Sequence, residues 1–148
     1  MTVIRGCEIP EDLYHWVDKH IWVRPGEGNL VRIGMTSVAG KLVGGKLVAV
    51  TVSHRKVGRE IHKGRSVATV ESSKYVGPVP TPVSGVLKGG NPAVEADPSL
   101  AISDPYGEGW IAELEATDWE NDKADLLTGE AAVAALTADL EANDITCD

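Results

Sequence analysis

Few residues in this 148-residue chain could do covalent chemistry. The most distinctive is Lys74, in the stretch Val70-Glu71-Ser72-Ser73-Lys74-Tyr75. The stretch Val79-Pro80-Thr81-Pro82-Val83-Ser84-Gly85 follows it closely. A lysine amine can be acylated, which removes its charge and turns its stem into the root of a longer arm. His54 and His62 are the other acid–base candidates of the central region, but neither has a carboxylate or nucleophile motif beside it. No serine, cysteine or threonine stands in a nucleophile–base constellation, so the chain does not read as a catalyst. Cys7 and Cys147 lie near opposite termini, and no Cys-X-X-Cys or His/Cys pairing suggests a metal.

The elements around Lys74 are legible from residue types. The β-branched pair Thr69-Val70 leads into the tip as a strand, and Pro78, Pro80 and Pro82 exclude a helix on the way out. Ser84-Gly85 punctuates the next run, Val86-Leu87. Lys74 therefore sits on a turn between two strands. A lysine in such a place is ordinarily a solvated side chain, and what singles this one out is the wording around it.

That wording resembles the lipoyl-attachment site of biotinyl/lipoyl domains, and within them the glycine cleavage system H protein family. The family's attachment stretch runs Glu-Ser-X-Lys, a variable tip, then Pro-Val-Ser-Gly. Here it is Glu71-Ser72-Ser73-Lys74 and Pro82-Val83-Ser84-Gly85. Asp104-Pro105-Tyr106-Gly107-Glu108-Gly109-Trp110 resembles the family's Pro-Tyr-X-X-Gly-Trp segment. His20-Ile21-Trp22 resembles its His-Glu-Trp strand, with Ile21 in place of the usual Glu, and Ile33-Gly34-Met35-Thr36 its Val-Gly-Ile-Thr segment. The matches run in order from about residue 13 to 127.

The resemblance implies a mainly β fold, the lipoyl-domain barrel-sandwich hybrid of hammerhead type, with short helices and a C-terminal helical segment. It implies lipoic acid in amide linkage on Lys74, with Glu71 and Gly85 as the accompanying cofactor-site residues and Glu71 recognised by the lipoylating enzyme, a lipoate ligase or lipoyl synthase. Roughly eleven bonds of about 1.5 Å, at staggered angles, give such an arm a reach on the order of 14 Å. Its dithiolane can take electrons, acyl-like groups or sulfur by thiol–disulfide exchange. The protein would be a carrier rather than an enzyme. A true H protein shuttles an aminomethyl group between glycine decarboxylase, an aminomethyltransferase and a dihydrolipoyl dehydrogenase. The tip here, Tyr75-Val76-Gly77-Pro78-Val79-Pro80-Thr81, departs from the small residue and acidic-aromatic tip usual in that family. With the leader Arg5 to Pro10, it looks more like the H-like lipoate-binding proteins of bacterial sulfur oxidation, which work with a heterodisulfide-reductase-like complex. The resemblance thus favours a sulfur-bound cargo, with aminomethyl as the alternative.

The rest of the chain divides into a leader (1–12), a β core (13–116) and C-terminal helices (117–148) of a single domain. Pro10-Glu11-Asp12 looks like a helix start, while 13–19 fits either helix or strand. A hairpin is expected from 20–24 and 30–34, a short helix capped by Thr36 and ended by Gly44-Gly45, and a buried strand over 47–52. Gly89 to Pro92 reads as a turn, 97–100 as a helical turn and 111–115 as a strand. Thr117-Asp118-Trp119-Glu120 has the capping-box pattern for a helix to about 127. A last helix, 130–142, carries Val133, Leu136 and Leu140 on one side, and the tail beyond Asn143 is expected to fray.

The hydrophobic content of 43% and charged content of 24% are ordinary for a globular domain. A net charge of −8 disfavours nucleic acid as a partner. The cluster Glu113, Glu115, Asp118, Glu120, Asp122 and Asp125 reads as a solvated face or as a steering surface for a basic partner. With no membrane-spanning run and no signal-peptide pattern, a cytoplasmic protein is expected. In that compartment a structural disulfide between Cys7 and Cys147 is not expected, and Cys7 as a redox thiol is the minor alternative.

Overall fold

Alternating apolar and polar residues at 30–35 and 112–116 bury one side of each strand, and these two strands form the centre of the larger sheet. The computed structural model describes residues 1–147. A short hairpin opens the chain, β1 (Thr2–Ile4) with β2 (Cys7–Ile9). The larger sheet has six antiparallel strands in the order β3 (Tyr14–Trp16), β4 (Ile21–Pro25), β5 (Leu30–Met35), β11 (Ala112–Ala116), β10 (Gly85–Gly90) and β7 (Glu60–Ile61). The smaller sheet has three, in the order β6 (Ala49–Val52), β8 (Ser66–Glu71) and β9 (Val76–Pro80).

The core lies between the two sheets. Val31, Ile33, Leu87 and Leu114 from the larger sheet meet Val50, Val52, Ala68, Val70 and Val79 from the smaller, all buried in one cluster. With no Phe in the chain, this core is aliphatic. The architecture is the expected mainly β sandwich with short helices and a C-terminal helix. Trp22 is fully buried beside Gly34, where any Cβ would stand 2.6 Å from the indole. Its Nε1–H donates to the carbonyls of Met35 (3.1 Å) and Pro105 (3.0 Å). That bond pins the 104–110 loop to β4 and β5.

Helix α1 (Ser37–Leu42) is capped as its sequence predicts: Thr36 Oγ1 accepts from the Ala39 amide at 3.4 Å, and Gly44 and Gly45 leave it at φ +103° and +81°. Helices α2 (Pro92–Ala96) and α3 (Leu100–Ser103) follow β10. Asn91 caps α2 through Oδ1, while its Nδ2 donates to the carbonyls of Glu108 (2.7 Å) and Trp110 (2.9 Å).

Several local expectations fail. Pro10 to Asp12 starts no helix; the chain turns and becomes β3, which pairs with β4 on one edge, while His15 exchanges backbone hydrogen bonds with Leu127 on the other. The strand expected over 47–52 begins at Ala49, and Val48 is 54% exposed. Gly89-Gly90 belongs to β10, which carries a bulge between Leu87 and Gly89. The capping box does not form: α4 (Trp119–Asp122) has Asp118 at its N-cap, and the Thr117 hydroxyl turns to Glu60. A 3-10 turn, Lys123–Asp125, ends that segment early. Gly129 opens the last helix, α5 (Gly129–Ala142), one residue before the expected start.

The tail is not frayed as far as Cys147, the last residue described. Helix α5 buries Ala132, Leu136 and Leu140; the two leucines pack on Cys7, Ile9 and Val38. Beyond it, Ile145 donates to Leu140, Arg5 pairs with Asp144 at 2.7 Å, and the Cys147 amide donates to Arg5. Cys7 and Cys147 are joined by a disulfide across a sequence separation of 140, with Cα atoms 4.9 Å apart. This corrects the expectation of unpaired cysteines. Packing of α5 on the β1–β2 hairpin brings the two ends of the chain together, which no local pattern announces.

Candidate functional site

β8 and β9 pair from Ser66↔Pro80 to Glu71↔Val76, and the chain reverses over the four residues between them. Ser72, Ser73, Lys74 and Tyr75 are that reversal. The Ser72 amide donates to the Tyr75 carbonyl at 2.7 Å, and the Lys74 amide donates to Ser72 Oγ at 3.3 Å. Ser72 is buried while Ser73 and Lys74 are exposed, so the tip is tied down from beneath and its lysine faces outward. Pro78 and Pro80 fall on β9, an edge strand, where a missing N–H leaves no gap in the ladder.

The Lys74 stem lies against the turn after α1, with Cδ 3.7 Å from where a Cβ on Gly44 would stand. Among the described residues no carboxylate lies within 4.0 Å of its amine. On one side of the tip is a groove of about 310 Å³, lined by Ile21, Met35, Val43, Val70, Tyr75 and Val79 among others. Tyr75 is 43% exposed and folds its ring over Gly77 at the rim. An exposed amine beside an apolar groove suits an acyl chain that is flexible, apolar and long.

Of the other two residues singled out in the sequence, Glu71 is beside the lysine and Gly85 is not. Glu71 is exposed at the end of β8, and its backbone carbonyl accepts from Val48 at 2.8 Å. Gly85 begins β10, beyond the end of β9 remote from the tip. A Cβ there would lie 2.5 Å from the Glu115 carbonyl oxygen, so glycine is required by the close approach of β10 and β11. The Pro82-Val83-Ser84-Gly85 phrase is thus a sheet junction, held by Asp122. That carboxylate is buried and accepts from the Ser84 amide at 2.8 Å.

Asp122 therefore leaves the supposed acidic face, and three of its neighbours pair with cations: Glu113 with Arg32, Asp125 with Lys63 and Glu120 with Lys123. Sequence reasoning missed Asp122, because nothing local distinguishes it from the solvated acids around it. It also passed over the role of Tyr106, whose hydroxyl donates to the Glu8 carbonyl (2.6 Å) and accepts from the Ser37 amide (2.9 Å). Burial raises the Tyr106 phenol above its ordinary range, so it stays protonated and bridges the leader to α1.

His54 and His62, the acid–base candidates, remain outside any constellation. His54 is paired with Glu95 at 2.9 Å on the surface, and His62 is exposed. The two buried histidines are others. His15 Nε2–H donates to the Pro10 carbonyl at 2.7 Å, and burial lowers its pKa against that bond and Asp12. His20 stands in the left-handed region at φ +54°, with Nε2 3.2 Å from Asp139 Oδ2; burial lowers its pKa against Asp139 and Asp18. Among the described residues no cluster of His, Cys, Asp and Glu could hold a metal, and no helix is long and apolar enough to cross a membrane.

Known proteins resemble this chain over most of its length. The family model "Glycine cleavage H-protein" matches residues 14–139. A "Glycine cleavage system H protein 2" of Aquifex aeolicus is 38% identical over 143 residues, 97% of this chain and 87% of the relative. A "Probable glycine cleavage system H protein 2" of Sulfolobus acidocaldarius is 39% identical over 149 residues, covering 99% and 97%. The crystal structure of a glycine cleavage system H protein from Mycobacterium marinum superposes with a TM-score of 0.69 at 31% identity, covering 93% of this chain and all of that one. Proteins of this family are not enzymes but carriers, with lipoate attached covalently to a lysine. The chain belongs to the glycine cleavage H-protein family.

Proposed function

We propose that Lys74 is the lipoyl lysine and that the protein carries an aminomethyl group in glycine cleavage. The observation that supports this most is the placement of Lys74: an exposed amine on a tied-down hairpin tip, beside an apolar groove. Its expected partners are a glycine decarboxylase, an aminomethyltransferase and a dihydrolipoyl dehydrogenase, with a lipoate ligase or lipoyl synthase acting first. A cytoplasmic site of action fits that set.

The residues of the chain divide the work. The β8–β9 ladder and the Ser72 bonds hold the tip rigid, so that only the arm moves. Glu71, exposed at the base of the tip, offers its carboxylate to the lipoylating enzyme. Ile21, Met35, Val43 and Val70 supply a water-poor bed for an apolar chain. When bound, the lipoyl group supplies a disulfide that can take a transferred group and two electrons.

A second reading, a sulfur-bound cargo exchanged with a heterodisulfide-reductase-like complex, draws on the leader Arg5 to Pro10, on Ile21 and on the tip. Tyr75 and Val76 are 43% and 65% exposed there, so the surface met by a partner is apolar where the family's usual tip is acidic-aromatic. Reconstitution separates the two. Lipoylated protein with glycine decarboxylase and glycine should release carbon dioxide and gain an aminomethyl mass. Failure to do so, with a persulfide mass gained from a sulfur donor, would reverse the order of the two readings.

A further inference from the structure

A second trough runs along helix α1, from the glycine turn near the lysine stem to a sulfur. It has a volume of about 370 Å³. Gly45, next to the Gly44 turn that the Lys74 stem touches, lines one part, and Cys147 lines another. Helix α1 runs between these points. Cys147 Sγ lies 3.8 Å from the carbonyl of Ser37, its first residue, and Lys74 Cδ lies against Gly44, just past its last. The six residues of α1, at about 1.5 Å each, span roughly 9 Å. From Lys74 Cδ to the sulfurs of an attached lipoyl group is about nine bonds, or on the order of 11 Å. Cys7 is fully buried, whereas Cys147 is partly exposed, so an incoming thiolate meets Cys147 first.

We infer that the Cys7–Cys147 disulfide is an internal oxidant for the reduced arm of Lys74. The inference rests on the lipoyl reading of Lys74. One thiolate of the dihydrolipoyl group attacks Cys147 Sγ, the Cys7–Cys147 bond breaks, and Cys7 leaves as a thiolate. The second arm thiol then displaces Cys147, closing the dithiolane. Two electrons pass from the arm to the cysteine pair, and the two arm protons end on Cys7 and Cys147. Neither an external oxidant nor a metal is needed. The chain thereby holds one turnover's worth of oxidising equivalents beside its own arm.

The test uses the full-length lipoylated protein, after peptide mapping has located the lipoyl mass on Lys74. Should that mass be missing, the lipoyl reading fails and the exchange is not reached, so the two failures are distinct. Lipoylated chain is mixed with isotope-labelled Lys74→Arg chain, then treated with NADH and dihydrolipoyl dehydrogenase, quenched in acid and alkylated. The expected result is alkylation of Cys7 and Cys147 in the lipoylated chain at least tenfold faster than in the labelled one. A reduced arm beside an intact Cys7–Cys147 bond would overturn the inference. So would equal labelling of the two chains, which would mean reduction by the dehydrogenase itself or between molecules. A Cys7→Ser/Cys147→Ser variant should still accept lipoate, and its arm, once reduced and freed of NADH and the dehydrogenase, should stay reduced in the absence of oxygen. Anaerobic reoxidation in that variant at the wild-type rate would also count against it.

Discussion

Replacing Gly85 by alanine separates packing from recognition in the Pro-Val-Ser-Gly phrase. Gly85 is paired on both sides, with Ala116 of β11 and Ile61 of β7. Its Cβ would stand 2.5 Å from the Glu115 carbonyl oxygen and 3.1 Å from Ala116 Cα, where 3.4 Å is ordinary contact. Both obstacles are backbone, so no side chain can swing aside. The sheet must open by nearly 1 Å at this point, which strains the neighbouring bonds, including Ser84 N–H to Asp122 and the Lys63 amide to Ser84 Oγ. Overpacking of this kind costs about 2 kcal/mol. For a chain of this size that is a fall of about 6 °C in Tm, or about 1 M in the urea midpoint at an m-value near 2 kcal/mol/M. The lysine tip lies at the remote end of β9, so the initial rate of lipoylation of folded protein should stay within about twofold of wild type. Urea melts followed by circular dichroism and a gel-shift or mass assay of lipoylation give the two numbers. An unchanged melt with a tenfold slower lipoylation would refute the packing argument and make Gly85 part of the surface that the lipoylating enzyme reads.

Other substitutions test neighbouring parts of the account. Glu71→Gln should slow lipoylation at least tenfold with no change in Tm, since the side chain is exposed and only its backbone is paired; equal rates would remove Glu71 from the recognition surface. Leu136→Ala, at a fully buried position on α5 facing Cys7, Ile9 and Val38, should cost about 3 kcal/mol in urea unfolding; a loss under 1 kcal/mol would mean that α5 is not seated as described. His15 and His20 both have folded pKa values below the unfolded one. Their contribution is therefore complete above pH of about 6.5 and is lost as pH falls below it, at up to about 1.4 kcal/mol per pH unit for each. His20→Asn keeps a side chain tolerant of the left-handed backbone and should flatten the acid limb of the stability curve; an unchanged limb would show that His20 does not titrate on unfolding.

What was legible in the sequence was local. The lysine hairpin could be read because proline, serine and glycine mark its ends and β-branched residues its entry. The Thr36 cap and the Gly44-Gly45 exit were read for similar reasons, since each is decided within a few residues. The failures share one cause. Thr117 and Glu120 satisfy a capping pattern, yet the Thr117 hydroxyl faces Glu60 from another strand. Pro10 to Asp12 suits a helix start, yet the segment after it pairs with β4 as a hairpin, and its free edge is bridged to Leu127, more than a hundred residues away. Cys7 and Cys147 look like loose ends until α5 packs on the first hairpin. Gly85 was grouped with the lysine because the two are close in the family phrase, although a strand of five residues separates their surroundings.

The preference for a sulfur cargo rests on short stretches, the tip Tyr75 to Thr81 and the leader Arg5 to Pro10, with Ile21. The relatives matched over almost the whole chain carry glycine-cleavage names, which favours the aminomethyl reading.

Peptide mapping of the protein expressed in a host able to lipoylate it tests the assignment of Lys74 most directly. A single lipoyl mass is expected, located on Lys74 and abolished by Lys74→Arg with the melting curve unchanged. A lipoyl mass on any other lysine, or one that survives Lys74→Arg, would contradict it.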